Sequence, residues 1–202
     1  MMNIKIKKIL KKKRKSKIVC LTAYSKSIAK ILDKFVDIIL VGDSMANVLY
    51  GHKNTHQISL ENIIQHTKSV KMGTRKSVLV VDMPKGSYNN IKIAQKNAKL
   101  IMKKTKCDAI KLESNGKNHK IIKHLVKRNI PVMGHIGYTP QFKKNFKVEG
   151  ISRLGILKLI KEAKNIEKAG AFSVVLECIS VKAAKLITSE LNIPTIGIGA
   201  SL

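Results

Sequence analysis

The strongest constraint on this chain is an alternation. Short, β-rich apolar runs take turns with longer segments whose apolar residues recur at helical spacing. The runs Ile18–Thr22, Ile38–Val41, Val78–Asp82, Ala109–Leu112, Pro131–Gly134, Ser173–Glu177 and Thr195–Ile198 read as strands. Between them, Leu60, Ile63, Ile64, Thr67 and Val70 follow the i, i+3, i+4, i+7 pattern, with Ser59 placed to cap the helix. Ile91, Ala94, Ala98 and Ile101 repeat it after Asn90. Ile156, Leu159, Ile160, Ala163 and Ile166 repeat it between Ser152 and a stop at Gly170. Shorter helices are expected over Lys26–Phe35, Asn118–Arg128 and Val181–Glu190. Continuous apolar strands alternating with amphipathic helices call for a parallel sheet covered by helices. Two architectures satisfy that demand, an open doubly wound sheet and a (β/α)8 barrel. No GxGxxG or GxxxxGK[ST] follows a strand, which removes the main support for a nucleotide-binding version.

Charge enters next. The formal net charge is +28, from 40 basic against 12 acidic residues. The excess is lysine, since only Arg14, Arg75, Arg128 and Arg153 are arginine. Nucleic-acid sites lean on arginine forks and aromatic platforms. Here aromatics are 4% and tryptophan is absent, so the lysines read as a solvated surface, with a polyanion-binding protein as the alternative. With 44% apolar residues the chain can bury a core. Residues 1–17 form a basic arm, read as a solvated tail or a short helix, and 18–202 form one barrel domain. No apolar run reaches signal-peptide or membrane-span length. Cys20, Cys107 and Cys178 form no CxxC pair, and Cys20 and Cys178 sit in apolar runs as small buried hydrophobes. A cytoplasmic setting without a membrane or specific nucleic-acid partner follows.

Against so few acids, their placement is informative. Asp43, Asp82, Glu113 and Glu177 each end a strand or nearly do, and His135 ends the fifth strand. In a barrel the C-terminal strand ends form the active-site rim. Carboxylates meeting at one mouth repel each other unless a cation sits among them. Asp43, Asp82 and Glu113 are hard oxygen donors suited to Mg²⁺, with Mn²⁺ or Ca²⁺ also compatible. Taken singly, each acid could instead cap a helix or pair with a lysine. Lys111 shares a strand face with Glu113 and could bind a carboxylate or an enolate. His135 could donate to an oxyanion or move a proton, and Ser44 could supply a hydroxyl. His52, His56, His66, His119 and His124 show no convergence and read as surface or packing residues.

The motifs Leu40-Val41-Gly42-Asp43-Ser44, Val81-Asp82-Met83-Pro84, Ile110-Lys111-Leu112-Glu113, Gly134-His135-Ile136-Gly137-Tyr138-Thr139-Pro140-Gln141, Val175-Leu176-Glu177-Cys178 and Ile193-Pro194-Thr195-Ile196-Gly197-Ile198-Gly199-Ala200 occur in an order and spacing that resembles ketopantoate hydroxymethyltransferases. The resemblance spans Ile18 to Ala200. It implies a TIM barrel of the phosphoenolpyruvate/pyruvate type, with the eighth strand and terminal helices missing, and a homo-oligomer, decameric in the family. It implies transfer of a hydroxymethyl group from 5,10-methylenetetrahydrofolate to 3-methyl-2-oxobutanoate through a Mg²⁺-stabilised enolate, giving ketopantoate for pantothenate and coenzyme A. Asp43, Asp82 and Glu113 match the carboxylates around one Mg²⁺ per subunit. Asp43, Ser44, Asp82, Lys111 and His135 match the substrate site, and Glu177 matches the proton acceptor. Ser25 stands where the family usually has Asp, Lys85-Gly86 replaces apolar residues, and the segment between Gln141 and Lys147 is short. A chain of 202 residues is below the roughly 250 typical of a complete barrel. An inactive remnant and another Mg²⁺-dependent α-keto acid aldolase or lyase are the remaining alternatives.

Overall fold

A computed structural model describes residues 3–200. The chain runs α1 (Ile4–Lys11), β1 (Cys20–Thr22), α2 (Lys26–Leu32), β2 (Ile38–Val41), α3 (Met45–Val48), a 3-10 turn (Thr55–Gln57), α4 (Leu60–Gly73), β3 (Val78–Asp82), α5 (Ile91–Thr105), β4 (Ala109–Glu113), α6 (His119–Lys127), β5 (Val132–Gly137), α7 (Arg153–Lys168), β6 (Ser173–Glu177), α8 (Val181–Glu190) and β7 (Thr195–Ile198). All seven strands are parallel and pair in sequence order, β1-β2-β3-β4-β5-β6-β7. A doubly wound sheet reverses its strand order at a switch point. This sheet never does, so it curls as a barrel wall.

The helices begin where local chemistry says they should. Ser59 and Asn62 form a reciprocal capping box at α4, and the side chains of Asn90, Ser152 and Ser180 cap α5, α7 and α8. Ser25 caps α2 by accepting from the Ile28 N–H.

Strand residues alternate between two cores. Ile39, Val41, Leu79, Val81, Ile110, Leu112, Val132, Val174 and Leu176 pack outward against the helices. Ile38, Val78, Val80, Ala109, Met133 and Val175 pack inward. By the two-residue period of a strand, Asp82, Lys111, Glu113, His135 and Glu177 share the inward parity with Val80, Ala109, Met133 and Val175. Apolar residues fill the floor of the barrel, and the polar residues lie above them toward the C-terminal strand ends.

The floor has a plug. Rather than trailing as a solvated tail, α1 buries Ile6 and Ile9 against the inward-facing strand residues. Each such isoleucine contributes about 1.5–3 kcal/mol. Its polar face is anchored too: Asn3 donates to Asp108, Lys5 to the Ser77 carbonyl and Lys12 to Asp37.

β1 starts at Cys20 rather than Ile18 and β4 reaches Glu113, but the largest departure from the expected strand bounds is at β5. β5 runs on to Gly137, because His135, Ile136 and Gly137 continue the ladder opposite Val175, Leu176 and Glu177. His135 therefore lies inside the strand rather than at its end. Cys20 is half-buried, because β1 is an edge of the sheet; Cys107 and Cys178 are buried, and all three thiols are free. No helix among the described residues is long and apolar enough to cross a membrane.

Candidate active site at the C-terminal strand ends

A cavity of about 600 Å³ opens at the C-terminal ends of the strands. Asp43, Ser44, Asp82, Lys111, Glu113, His135 and Glu177 all line it. Every candidate residue named from the sequence is thus brought to one place. A larger cleft of about 840 Å³ lies between β1 and β7 beside the basic arm, but no acid and no histidine lines it. The acids and the histidine singled out from the sequence gather at the smaller cavity.

At its centre, Lys111 Nζ donates to Asp82 Oδ2 at 2.6 Å, with both side chains buried. The Asp43 backbone N–H also points at Asp82 Oδ2, at 3.4 Å. Asp82 Oδ1 and Glu113 Oε1 are buried with no hydrogen-bond partner. Burial pushes the Asp82 carboxyl up against the pull of Lys111. Burial also pushes Glu113 up to about 9, with Asp43 and Asp82 adding to it and Lys111 opposing. Burial alone would lower the Lys111 ammonium, but the three carboxylates outweigh it and hold its pKa above the ordinary value. One ammonium serves three carboxyl groups, so the cluster favours a further positive charge.

His135 is buried between Glu113 and Glu177. Its Nδ1 lies 3.7 Å from Glu113 Oε1 and its Nε2 lies 3.1 Å from Glu177 Oε2. Neither ring nitrogen is aligned for a hydrogen bond, despite the short second distance. Burial, with Lys111 nearby, lowers the imidazole pKa and favours its neutral form at pH 7. Glu177 is partly exposed to the cavity. Across from it, Ser44 Oγ is 2.8 Å from the Tyr24 hydroxyl.

The donor chemistry fits a hard divalent cation. Two buried carboxylate oxygens without partners, beside a third carboxylate, are what such an ion would satisfy. Among the described residues no group of three or more His, Cys, Asp or Glu side chains is close enough to enclose a metal. Mg²⁺ does not need a closed protein cage, since it keeps waters and takes substrate oxygens.

Some residues escaped the sequence reading. Gln141 is fully buried and touches two of the three carboxylates; it sat in a quoted motif but carried no charge to draw attention. His56, read as a surface or packing residue, lies at the cavity mouth with Nε2 3.0 Å from the Pro140 carbonyl oxygen. Its position depends on the loop after β2 folding over the rim, which no local pattern announces.

The architecture and the cavity define a class: a (β/α) barrel enzyme with a cluster of buried acids, a lysine and a histidine at the C-terminal strand ends. Solved structures agree on the fold. A 2,3-dimethylmalate lyase of the PEP mutase/isocitrate lyase superfamily superposes with a TM-score of 0.67 at 13% identity, covering 96% of this chain and 72% of that one. An oxaloacetate acetylhydrolase in complex with 3,3-difluorooxalacetate gives 0.70 at 15% identity, covering 100% of this chain and 75% of that one. The chain itself belongs to the ketopantoate hydroxymethyltransferase family, whose model matches residues 3–202. A 3-methyl-2-oxobutanoate hydroxymethyltransferase from Pelagibacter ubique is 52% identical over 201 residues, covering 100% of this chain and 78% of that protein. Proteins of the same name from Clostridium botulinum and Anaplasma marginale are 46% and 45% identical, and this chain covers 70% and 73% of their lengths.

Proposed function

We propose that this chain transfers a hydroxymethyl group from 5,10-methylenetetrahydrofolate to 3-methyl-2-oxobutanoate, giving ketopantoate for pantothenate synthesis. Family membership supports the reaction class. The observation that carries the chemistry is the pair of unpartnered buried oxygens, Asp82 Oδ1 and Glu113 Oε1, beside Lys111. Asp82 and Glu113, with Asp43 adjacent, would hold Mg²⁺, which when bound supplies Lewis-acid stabilisation of negative charge on the keto acid's oxygens.

The chain's own residues do the rest. Lys111 supplies a fixed ammonium for the substrate carboxylate, and Ser44 supplies a hydroxyl held by Tyr24. Glu177, exposed to the cavity, takes the proton from C3. His135 Nε2 lies 3.1 Å from that carboxylate, and a rotation of the ring into hydrogen-bond alignment would let it orient Glu177. The carbanion then bonds to the folate methylene carbon as one of its two C–N bonds breaks. Water adds its oxygen to that carbon as the second C–N bond breaks, and tetrahydrofolate leaves with the C3 proton and one water proton on its two freed nitrogens. The reading also carries a homo-oligomeric assembly in the cytoplasm, which sedimentation velocity and cell fractionation test.

The direct test is proton exchange. With Mg²⁺ and no folate, the folded protein should exchange the C3 proton of 3-methyl-2-oxobutanoate with D₂O, and Glu177→Gln should slow that exchange by at least about 10²-fold. Absence of exchange by a demonstrably folded wild type defeats the proposal. Product analysis with and without folate separates it from a lyase acting on the same keto acid.

A further inference from the structure

Gln141 makes more of the site's polar contacts than a loop residue needs for its own placement. It lies in the loop after β5 and is completely buried. Its backbone N–H donates to Glu113 Oε2 at 3.0 Å. Its side-chain Nε2 donates to Asp43 Oδ2 at 2.9 Å and to the Met83 carbonyl oxygen at 3.0 Å. Its Oε1 accepts from the Tyr88 hydroxyl at 2.6 Å.

The orientation of this amide is determined by chemistry. The Met83 carbonyl can only accept, so the atom facing it must be the NH₂ group. That leaves the carboxamide oxygen toward Tyr88, and both N–H bonds are then used. Tyr88 is itself buried, and burial beside Glu113, Asp82 and Asp43 holds its phenol well above the ordinary pKa, so it stays a donor. The result is a relay with one possible polarity: Tyr88 donates to Gln141, and Gln141 donates to Asp43.

The consequence lies in which oxygens are left over. Glu113 has one oxygen tied by the Gln141 backbone, and its other oxygen, Oε1, is buried and unpartnered. Asp82 has one oxygen tied by Lys111, and Oδ1 is buried and unpartnered. Asp43 has Oδ2 held by the Gln141 amide. We propose that Gln141 is a positioning residue for the cation site: from one loop position it fixes the rotation of two carboxylates, one after β2 and one on β4, with Tyr88 setting its own. This rests on the metal-binding part of the function proposed above. It adds a residue on which cation affinity depends without coordinating the cation.

The experiment is Mn²⁺ binding by calorimetry or electron paramagnetic resonance, with 3-methyl-2-oxobutanoate present. Gln141→Leu keeps the side-chain volume and the backbone N–H to Glu113 but removes the amide. Supporting groups of this kind carry about 10–100-fold in metal affinity. Gln141→Leu should weaken Mn²⁺ binding by that factor, and raising Mn²⁺ should restore keto acid binding, which a mere packing defect would not allow. Tyr88→Phe, a milder change that leaves the amide in place, should weaken binding in the same direction by a smaller factor. The double variant should match Gln141→Leu alone, because Tyr88 acts through Gln141. Unchanged Mn²⁺ affinity in Gln141→Leu, or in Tyr88→Phe should the first variant not fold, overturns the proposal while the proposed function stands. A wild type that binds no Mn²⁺ with the keto acid overturns both.

Discussion

Gly137 ends β5 with a φ of +95° and sits directly opposite Glu177 in the β5–β6 ladder. A Cβ at this position would lie 2.1 Å from the Glu177 carbonyl oxygen and 2.6 Å from Ile179 Cγ2. Gly137→Ala therefore carries two costs. Positive φ for an L-residue costs about 1–2 kcal/mol. Relieving an overlap with backbone, which cannot rotate away, costs about 1–3 kcal/mol more, because the end of β6 must shift. That shift moves Glu177, and a displacement of about 1 Å in a reacting group can cost about 10²-fold in rate. Gly116→Ala is the matched control. Gly116 has a φ of +80°, and a Cβ added there would meet nothing within 4 Å, so it should show the strain cost alone. Thermal unfolding should place Gly137→Ala below Gly116→Ala by about 2–4 °C for each kcal/mol of overlap. C3 proton exchange should fall about 10²-fold in Gly137→Ala and stay near wild type in Gly116→Ala. Equal melting temperatures and equal exchange rates in the two variants would refute the idea that the β5–β6 contact sets the position of Glu177.

Asp33 accepts the backbone N–H groups of Arg75, Lys76 and Ser77 and ties the end of α2 to the turn before β3. Burial raises its pKa, but the three N–H donors outweigh burial and hold it below the ordinary value. A depressed folded pKa stabilises above the unfolded value of about 3.9 and loses that contribution as pH falls through the folded pKa. Asp33→Asn should cost about 1–3 kcal/mol at pH 7, with the gap to wild type closing below about pH 4 in denaturant titrations. Ile6→Ala should cost about 2–5 kcal/mol, read from the urea midpoint, because the residue is fully buried under the barrel floor. No loss would mean that α1 does not plug the floor in solution. Asp82→Ala should abolish Mn²⁺ binding that depends on the keto acid; calorimetry showing unchanged binding removes Asp82 from the metal set.

Much of this molecule is written in local pattern. Six helices and all seven strands follow from periodicity, and Ser59, Asn90 and Ser152 mark helix starts that the structure caps. The scarcity of acids in a lysine-rich chain made Asp43, Asp82, Glu113 and Glu177 visible, and strand parity explains why Lys111 and Glu113 reach the same cavity. These features are legible because a period of two or 3.6 is a property of neighbouring residues.

Tertiary structure alone decided the rest. A lysine-rich arm reads as solvent-facing until Ile6 and Ile9 are seen against Val78, Ala109 and Met133, residues far along the chain. β5 extends to Gly137 because β6 offers a ladder beside it. Gln141 is uncharged and lies in a loop, so its spacing says nothing; only folding brings its backbone and side-chain N–H donors to carboxylates that are 28 and 98 residues away in sequence. The sequence by itself determined which groups carry charge and which face each strand presents. Which oxygen of each carboxylate stays free was decided by hydrogen bonds between distant segments, because the direction of a lone pair depends on a three-dimensional neighbour and not on the order of residues.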